Sequence, residues 1–154
     1  MYIFILSLIV LAADRLAKHL TIRHLKPLGS VELIPGIFRL SYVENRGAAF
    51  GILQNHRWLF ITLTIVISIG IACYLVKYPK DDILRRLSLA IILGGAVGNL
   101  IDRILYGYVV DMLHATFVNF PVFNIADSAV VCGTLLLAYQ LLFREQLGLN
   151  ANAS

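Results

Sequence analysis

The chain has 154 residues, of which 59% are hydrophobic and only 14% are charged. A soluble domain of this size cannot bury so much apolar surface, so the composition indicates an integral membrane protein. The formal net charge is +4, but the cations are scattered beside apolar segments, which argues against a nucleic-acid-binding protein. Cys73 and Cys132 lie in apolar runs without metal-ligand spacing, so we interpret them as free thiols.

Four apolar segments predict an all-α membrane protein with four transmembrane helices, folded as a single domain over residues 1–154. At about 1.5 Å per residue, such segments are long enough to cross roughly 30 Å of hydrocarbon. The first has the look of a secretory signal peptide, but it lacks a basic start and continues into Asp14, Arg15 and Lys18, so we expect it to be retained. The predicted spans are about residues 2–20, 58–76, 87–105 and 123–143.

The distribution of basic residues predicts the orientation of these spans. Four cations lie within residues 77–86, whereas the longer loop spreads five over residues 23–57. The denser loop is predicted to be cytoplasmic, which places both termini in the cytoplasm and the longer loop outside. Four acidic residues would then share one level near the outer face: Asp14, Asp102, Asp111 and Asp127.

The longer loop contains a predicted β-hairpin, residues 30–42, in which β-branched and aromatic residues flank Pro35-Gly36. We expect this hairpin to lie on the membrane surface, within an outer β region of about residues 30–54. The segment Asn45–Phe50 follows, and its small residues indicate a close backbone approach or a bound partner.

Two sets of polar residues inside the predicted spans favour a structural role. Asn99, Asp102 and Arg103 stand at i, i+3 and i+4 and therefore share one helix face. Asp102 would pair with Arg103 or cap a neighbouring segment. Asp14 and Lys18, at i and i+4, are expected to hold the first helix to the bundle.

Glycines in and after the third span predict its packing and its end. Gly94 and Gly98, four residues apart, would allow another helix to approach closely. Gly107 lies between two tyrosines, where it offers a place for the helix to end and the chain to turn back.

Asp111 and Asp127 differ from the other acids because neither has an evident cation of its own. Asp111 follows the turn at Gly107, and Asp127 stands in the first turn of the fourth helix, three residues after Asn124. Close like charges in a dry site raise one pKa and leave the other group ionised, which provides an acid and a base together. From these residues alone, a catalytic pair and a structural pair both stay open.

Five motifs in order along nearly the whole chain resemble those of bacterial lipoprotein signal peptidases, the type II signal peptidases. They are Asp14 with Lys18, Asn45–Phe50, Gly98–Arg103, Val109–Asp111 and Phe123–Ser128. The resemblance implies four transmembrane helices with a small β cradle on the outer face, and a catalytic dyad at Asp111 and Asp127. It also implies substrate-binding or supporting roles for Asp14, Lys18, Asn45, Gly47, Asn99, Asp102, Arg103, Asn124 and Ala126. One departure is visible, because Arg15 stands where the family usually has glutamine.

The reaction implied by the resemblance is hydrolysis of the peptide bond before a diacylglyceryl-modified cysteine in a prolipoprotein. The ionised aspartate would take a proton from water while the protonated one donates to the carbonyl oxygen. No metal or other cofactor is implied. The expected partners are the lipid-modified substrate and membrane lipid, without nucleic acid, and the protein is expected to be a monomer in the bacterial cytoplasmic membrane with its active site near the outer face.

Three other classes of function remain as alternatives. A Ser/Lys peptidase would need Ser128 or Ser30 near Lys18. A proton-coupled transporter would also place carboxylates in a membrane, but the chain has no inverted repeat. A non-enzymatic membrane scaffold would use the glycines and asparagines for helix packing. His114 and Trp58 are interpreted as interface residues instead of ligands.

Overall fold

The chain is mostly helical with one small antiparallel sheet, and the computed structural model describes residues 2–47 and 53–144. Its helices are α1 (Ile3–Leu20), α2 (Arg57–Lys77), α3 (Ile83–Leu105) and α4 (Ile125–Tyr139). π-Helical turns continue α1 through Thr21–Leu25 and α4 through Gln140–Arg144. The strands are β1 (Ser30–Ile34), β2 (Phe38–Asn45) and β3 (Val109–Ala115).

Three helical segments are long and apolar enough to cross a membrane: Arg57–Lys77, Ile83–Leu105 and Ile125–Phe143. These correspond to the second, third and fourth predicted spans. The first predicted span is helical as α1, but it is not among the three, because Asp14, Arg15 and Lys18 interrupt its apolar sequence. The number of four transmembrane helices therefore stays a prediction.

Two helices begin at other residues than the predicted spans. α3 begins at Ile83 instead of near residue 87, because Asp82 caps its first turn by accepting hydrogen bonds from the N–H groups of Leu84 and Arg85 at 2.8 and 3.2 Å. α4 begins at Ile125, two residues later than predicted, after an extended Asn124. The end of α3 agrees with the prediction, since Gly107 has φ +80° in the turn that follows it.

α3 lies at the centre of the bundle and contacts the other three long helices. Its glycines permit this packing, as predicted for Gly94 and Gly98. A Cβ atom at Gly94 would lie 2.6 Å from the Ser7 carbonyl oxygen of α1, and one at Gly95 would lie 2.5 Å from the Ala126 carbonyl oxygen of α4. The backbones of α1 and α4 therefore contact α3 directly.

The sheet has the order β1-β2-β3 and joins the loop regions at one end of the bundle. The hairpin of β1 and β2 confirms the one predicted around Pro35-Gly36. β3 was not predicted as a strand; it extends the hairpin to a three-stranded sheet, in agreement with the small β region expected beside the helices. Its register with β2 places Asp111 opposite Val43. Residues 48–52, which include half of the predicted Asn45–Phe50 motif, lie outside the described residues.

Two small apolar clusters support the two ends of the bundle. Leu25, Val110 and Met112 are buried where the sheet meets the end of α1. Ile3, Leu75, Ala90 and Leu93 are buried between α1, α2 and α3 toward the opposite end. The polar side chains of the candidate site lie at the end of the bundle that carries the sheet. The cluster of Leu25, Val110 and Met112 therefore holds the sheet in place next to that site.

Candidate active site

Asp127 is placed by the start of α4. Asn124 has an extended backbone and forms a capping box, in which its Oδ1 accepts the Asp127 N–H at 2.8 Å. In return, Asp127 Oδ2 accepts the Asn124 N–H at 3.3 Å. The carboxylate therefore points back across the helix N-terminus, where the helix dipole favours negative charge.

Asp111 is placed by β3 and is fully buried, with 0% of its surface exposed. Its Oδ1 accepts a hydrogen bond from Asn124 Nδ2 at 2.6 Å, and its Oδ2 accepts one from Asn45 Nδ2 at 3.0 Å. Burial, together with the negative charge of Asp127, raises the pKa of the Asp111 carboxyl to about 7, although the hydrogen bonds from Asn45 and Asn124 lower it. The two side chains therefore form an interacting pair, here called the aspartate pair.

Three carboxamides connect the aspartate pair, and we refer to Asn45, Asn99 and Asn124 as the carboxamide network. Asn99 Nδ2 donates to Asp127 Oδ1 at 2.7 Å, while Asn99 Oδ1 accepts from Asn124 Nδ2 at 3.1 Å. Each carboxylate thus accepts hydrogen bonds at both oxygens. Such a network fixes the orientation of both acids and leaves little rotational freedom.

A buried ion cluster of Asp14, Arg15, Lys18 and Asp102 lies behind this network. Lys18 is 0% exposed, and its Nζ lies 2.9 Å from Asp14 Oδ2, 3.0 Å from Asp102 Oδ2 and 2.8 Å from Asn99 Oδ1. Arg15 Nη1 donates to Asp102 Oδ1. The cluster thus contains two positive and two negative charges. A single one of these charges, buried without its partners, would strongly destabilise the fold.

The predicted pairing of Asp102 with Arg103 was wrong, because the two side chains leave α3 in different directions. Asp102 faces α1 and pairs with Arg15 and Lys18. Arg103 lies on the side of α2, where its guanidinium is 5.0 Å from the centre of the Phe60 ring and donates to the Gly47 carbonyl oxygen at 3.4 Å. The other predicted role of Asp102, as a cap on a neighbouring segment, agrees better with the structure, because Asp102 accepts a backbone N–H of β3.

The ion cluster also holds the backbone next to each member of the aspartate pair. Asp102 Oδ2 accepts the N–H of Val110, one residue before the first acid, at 3.1 Å. Asp14 Oδ1 accepts the N–H of Ala126, one residue before the second acid, at 3.0 Å. α1 and α3 therefore position both acids through main-chain hydrogen bonds.

A cavity of about 610 Å³ opens between α2, α3 and α4 beside this site. Its polar wall includes Asn45, Gly47, Asn99, Arg103 and Asp127. The rest of its lining is mostly apolar: Phe60, Ala96, Val109, Phe120, Val122, Phe123, Val130 and Val131. Asp111 does not line the cavity itself but lies directly behind Asn45. Such a pocket suits an apolar ligand that meets a few polar groups.

The structure brings together most of the residues that the sequence singled out. The aspartate pair, the carboxamide network and Asp14, Lys18 and Asp102 form one hydrogen-bonded group. Gly47 joins it, because its N–H donates to Asn45 Oδ1 at 3.0 Å, and Arg103 donates to the Gly47 carbonyl oxygen. The role of Arg15 was missed, although a cation in an apolar helix is a signal that it has a buried partner. The apolar residues that line the cavity could not be identified from the sequence, because they are of the same types as residues that face lipid.

The residues named for other classes of site have other partners. The Ser128 hydroxyl donates to the Asn124 carbonyl oxygen at 2.9 Å, and Lys18 is surrounded by carboxylates. His114 Nδ1 lies 3.2 Å from Ser41 Oγ in the sheet, and Trp58 is 72% exposed. Within residues 2–47 and 53–144, no group of three or more His, Cys, Asp or Glu side chains is suited to hold a metal ion.

Comparisons with known proteins agree with this arrangement. The family model described as signal peptidase (SPase) II matches residues 6–143. The chain is 47% identical over 136 residues to the lipoprotein signal peptidase of Caldanaerobacter subterraneus subsp. tengcongensis, covering 88% of this chain and 92% of that protein. It is 44% identical over 149 residues to the lipoprotein signal peptidase of Streptococcus pyogenes, covering 95% of this chain and 97% of that one.

Two solved structures, each described as a bacterial membrane enzyme, are similar in fold. Their TM-scores are 0.83 and 0.81, each at 31% identity and 92% coverage of this chain, with 87% and 93% of their own chains covered. The sequence and fold comparisons span the same elements that carry the aspartate pair. The chain therefore belongs to the signal peptidase II, or lipoprotein signal peptidase, family of peptidases.

Proposed function

We propose that this chain removes signal peptides from prolipoproteins by hydrolysing the peptide bond before a diacylglyceryl-modified cysteine. One observation carries the proposal: two carboxylates from different elements share Asn124 as a hydrogen-bond partner beside a largely apolar cavity. The apolar wall would accept the signal peptide and the acyl chains, and the carboxylates would act on the bond between them.

The proposed roles of the two acids in the reaction follow from their different environments. With a pKa of about 7, Asp111 holds its proton through much of the neutral range and can donate it to the substrate carbonyl oxygen. Asp127 lies at a helix N-terminus and remains the base that takes a proton from water. The water oxygen bonds to the carbonyl carbon, the carbon–nitrogen bond then breaks, and the leaving amine takes the proton that Asp127 accepted. A hydroxyl of the intermediate returns its proton to Asp111 as the product carboxyl group forms, which restores the starting state of the pair.

Asn45 separates Asp111 from the cavity and so has a part in admitting the substrate. Its Nδ2 donates to Asp111 Oδ2, and the same side chain lines the cavity. A substrate carbonyl oxygen that replaces this hydrogen bond would reach the Asp111 proton. Gly47 and Arg103 would also contact the peptide. Both line the cavity, and Arg103 donates to the Gly47 carbonyl oxygen at 3.4 Å.

The membrane arrangement belongs to the same proposal. We place residues 1–154 in one domain with four transmembrane helices, the sheet on the outer surface and both termini in the cytoplasm. The aspartate pair would then act near the outer face. We also propose that the protein acts as a monomer.

The test is cleavage of a purified prolipoprotein with and without its diacylglyceryl group, followed by mass spectrometry of the products. We expect a released signal peptide and a new N-terminal lipid-modified cysteine, and we expect EDTA, iodoacetamide and sulfonyl fluorides to leave the rate unchanged. Cleavage at another bond, or equal cleavage of the unmodified substrate, would contradict the proposed specificity. Inhibition by EDTA that zinc reverses would contradict the aspartyl mechanism.

A further inference from the structure

α2 forms one wall of the cavity beside the aspartate pair, and it is the least buried of the long helices. Of its 21 residues, all within the described ranges, only Ile61 and Leu75 are buried against the rest of the protein. Phe60 and Thr64 of this helix line the cavity. Because a helix with few buried contacts is held weakly by packing, the position of this wall depends on specific contacts near the start of α2.

Arg57, the first residue of α2, provides one of these contacts. Its Nη2 donates to the Ile104 carbonyl oxygen, in the last turn of α3, at 2.9 Å. Carbonyl groups in the last turn of a helix lack a partner within the helix, and the helix dipole favours a cation beside them. A Cβ atom at Gly107 would lie 3.4 Å from Arg57 Nη1, so the guanidinium lies against the turn that ends α3. Arg57 therefore joins the start of α2 to the end of α3.

Arg103 makes the reciprocal contact, from α3 to α2. Its guanidinium is 5.0 Å from the centre of the Phe60 ring and donates to the Gly47 carbonyl oxygen at 3.4 Å. All three of these residues line the cavity. Phe60 follows Arg57 by three residues, which is about one helical turn, and Arg103 directly precedes Ile104. The hydrogen bond of Arg57 therefore fixes how Phe60 and Arg103 face each other.

We propose that Arg57 is a positioning residue for the substrate, which holds α2 at a fixed distance from α3 and takes no part in the proton transfers. Arg57 is not among the described residues that line the cavity. Its polar and ring contacts among the described residues are with the end of α3 and, at 5.2 Å, with the Trp58 ring. It acts through Phe60 and Arg103, between which the signal peptide would enter. The inference rests on the proposed function, because the ligand of the cavity is the prolipoprotein.

The test is steady-state cleavage of a lipid-modified prolipoprotein by Arg57→Met, which keeps an unbranched stem but removes the donors. We expect KM to rise about tenfold and kcat to stay within about twofold, because a lost contact that serves the ground state and the transition state equally does not change kcat.

Two matched variants accompany this one. Arg57→Lys should bring KM back to within about threefold of the unmodified chain, since it keeps a cation at the end of α3. It lacks Nε, which in Arg57 is buried without a hydrogen-bond partner among the described residues. Arg39→Met should change neither constant, because Arg39 is a half-exposed cation of β2 that lies 3.8 Å from Glu32.

A purely structural role would give a different result. A destabilised enzyme contains fewer active molecules, which lowers the apparent kcat and leaves KM unchanged. That result for Arg57→Met, or a KM within about twofold of the unmodified chain, would overturn the proposal. A displaced pH profile of kcat would also overturn it, because Arg57 would then act on the aspartate pair.

Trp58 provides a measurement that does not depend on cleavage, since it is the single tryptophan of the chain and adjoins Arg57. Its fluorescence anisotropy in lipid nanodiscs should fall in Arg57→Met, as the start of α2 gains freedom, and recover in Arg57→Lys. Unchanged anisotropy would show that Arg57 does not hold α2 and would overturn the proposal. If the unmodified chain cleaved no prolipoprotein while the anisotropy changed as expected, the proposed function would be contradicted and the contact between α2 and α3 supported.

Discussion

Asp14 Oδ1 accepts a hydrogen bond at 3.0 Å from the backbone N–H of Ala126, which directly precedes Asp127. α1 therefore fixes the start of α4 from 112 residues away. The other oxygen of Asp14 pairs with Lys18 at 2.9 Å, so the position of a candidate catalytic acid depends on a buried ion pair. The stability of the fold and the geometry of the site are coupled at this point.

Replacement of Lys18 tests this coupling. Lys18→Met should lower the free energy of unfolding by about 3–5 kcal/mol, because two buried carboxylates lose their common cation. Lys26→Met is the matched control, since Lys26 forms a partly exposed pair with Glu44 at 3.5 Å and should cost at most about 1 kcal/mol. Thermal unfolding in detergent measures both. Equal melting temperatures for the two variants would contradict the role of the ion cluster.

Replacement of the aspartate pair tests the chemistry. Asp111→Asn and Asp127→Asn should each lower turnover by roughly 10²- to 10⁴-fold, because each removes a proton-transfer group. The protein should still fold, since a carboxamide keeps one of the two oxygens that accept hydrogen bonds from the neighbouring donors. Turnover of a lipid-modified prolipoprotein and thermal unfolding are the two measurements.

Glu32→Gln is the control for this pair of changes, because Glu32 is an exposed carboxylate of β1 far from the cavity. It should leave turnover unchanged. Combining both Asp→Asn changes should cost little more than one, as expected for groups that act as a unit. Near-normal turnover in either single variant would rule out that residue as catalytic.

The raised pKa of Asp111 predicts how activity and stability depend on pH. If one proton is shared by the pair, activity should follow a bell whose alkaline limb has an apparent pKa near 7. In the unfolded chain Asp111 ionises near pH 4. Between about pH 4 and 7 the folded state therefore binds more protons, and stability should fall as the pH rises.

Asp111→Asn removes this dependence, because its side chain does not titrate. Its melting temperature relative to the unmodified chain should be higher at pH 8 than at pH 4. Parallel melting curves across this range for both proteins would show that Asp111 ionises at its ordinary pKa when folded.

The packing of α3 and α2 predicts opposite effects for a glycine in each helix. Gly95→Ala should destabilise the fold by about 1–3 kcal/mol, because its Cβ would lie 2.5 Å from the Ala126 carbonyl oxygen. Gly70→Ala has open space and should be neutral or stabilising by up to about 1 kcal/mol. Thermal unfolding of both variants provides the comparison, and a stable Gly95→Ala would show that α4 can shift freely against α3.

The proposed orientation is tested with single cysteines in a background without Cys73 and Cys132. Leu33→Cys in β1 should react with an impermeant maleimide from outside intact cells. Lys80→Cys, in the loop between α2 and α3, should react only after lysis. The reverse pattern would place the sheet and the aspartate pair at the cytoplasmic face.

The sequence predicted the helices and the hairpin because their signals are local. Long apolar segments specify helices in a membrane, and Pro35-Gly36 between β-branched runs specifies a turn. α3 begins before the predicted span because Asp82 caps it, whereas Arg85 and Arg86 were interpreted as loop residues. The capping residue Asp82 therefore indicated the start of the helix better than the charges of Arg85 and Arg86 did.

The contacts between distant segments could not be predicted from the residues alone. β3 contains Asp111 and His114, which weaken its strand pattern, and it forms because β2 supplies the pairing. The choice of Arg15 and Lys18 over Arg103 as partners of Asp102 depends on how α1 packs on α3. Local spacing favours Arg103, the neighbour of Asp102 in sequence. The glycines of α3 instead bring α1 close, and α1 carries Arg15 and Lys18.

The carboxamide network has a consequence for resistance to inhibitors. A compound held by the aspartate pair would compete with Asn45, Asn99 and Asn124, each of which already bonds a carboxylate. Escape substitutions at these positions would disable the enzyme together with the drug site. Resistant strains would therefore carry changes in the apolar wall, for example at Val122 or Val131, where a larger side chain narrows the cavity without touching the acids. Compounds that gain their affinity from the polar wall should keep their potency longer than those that fill the apolar one.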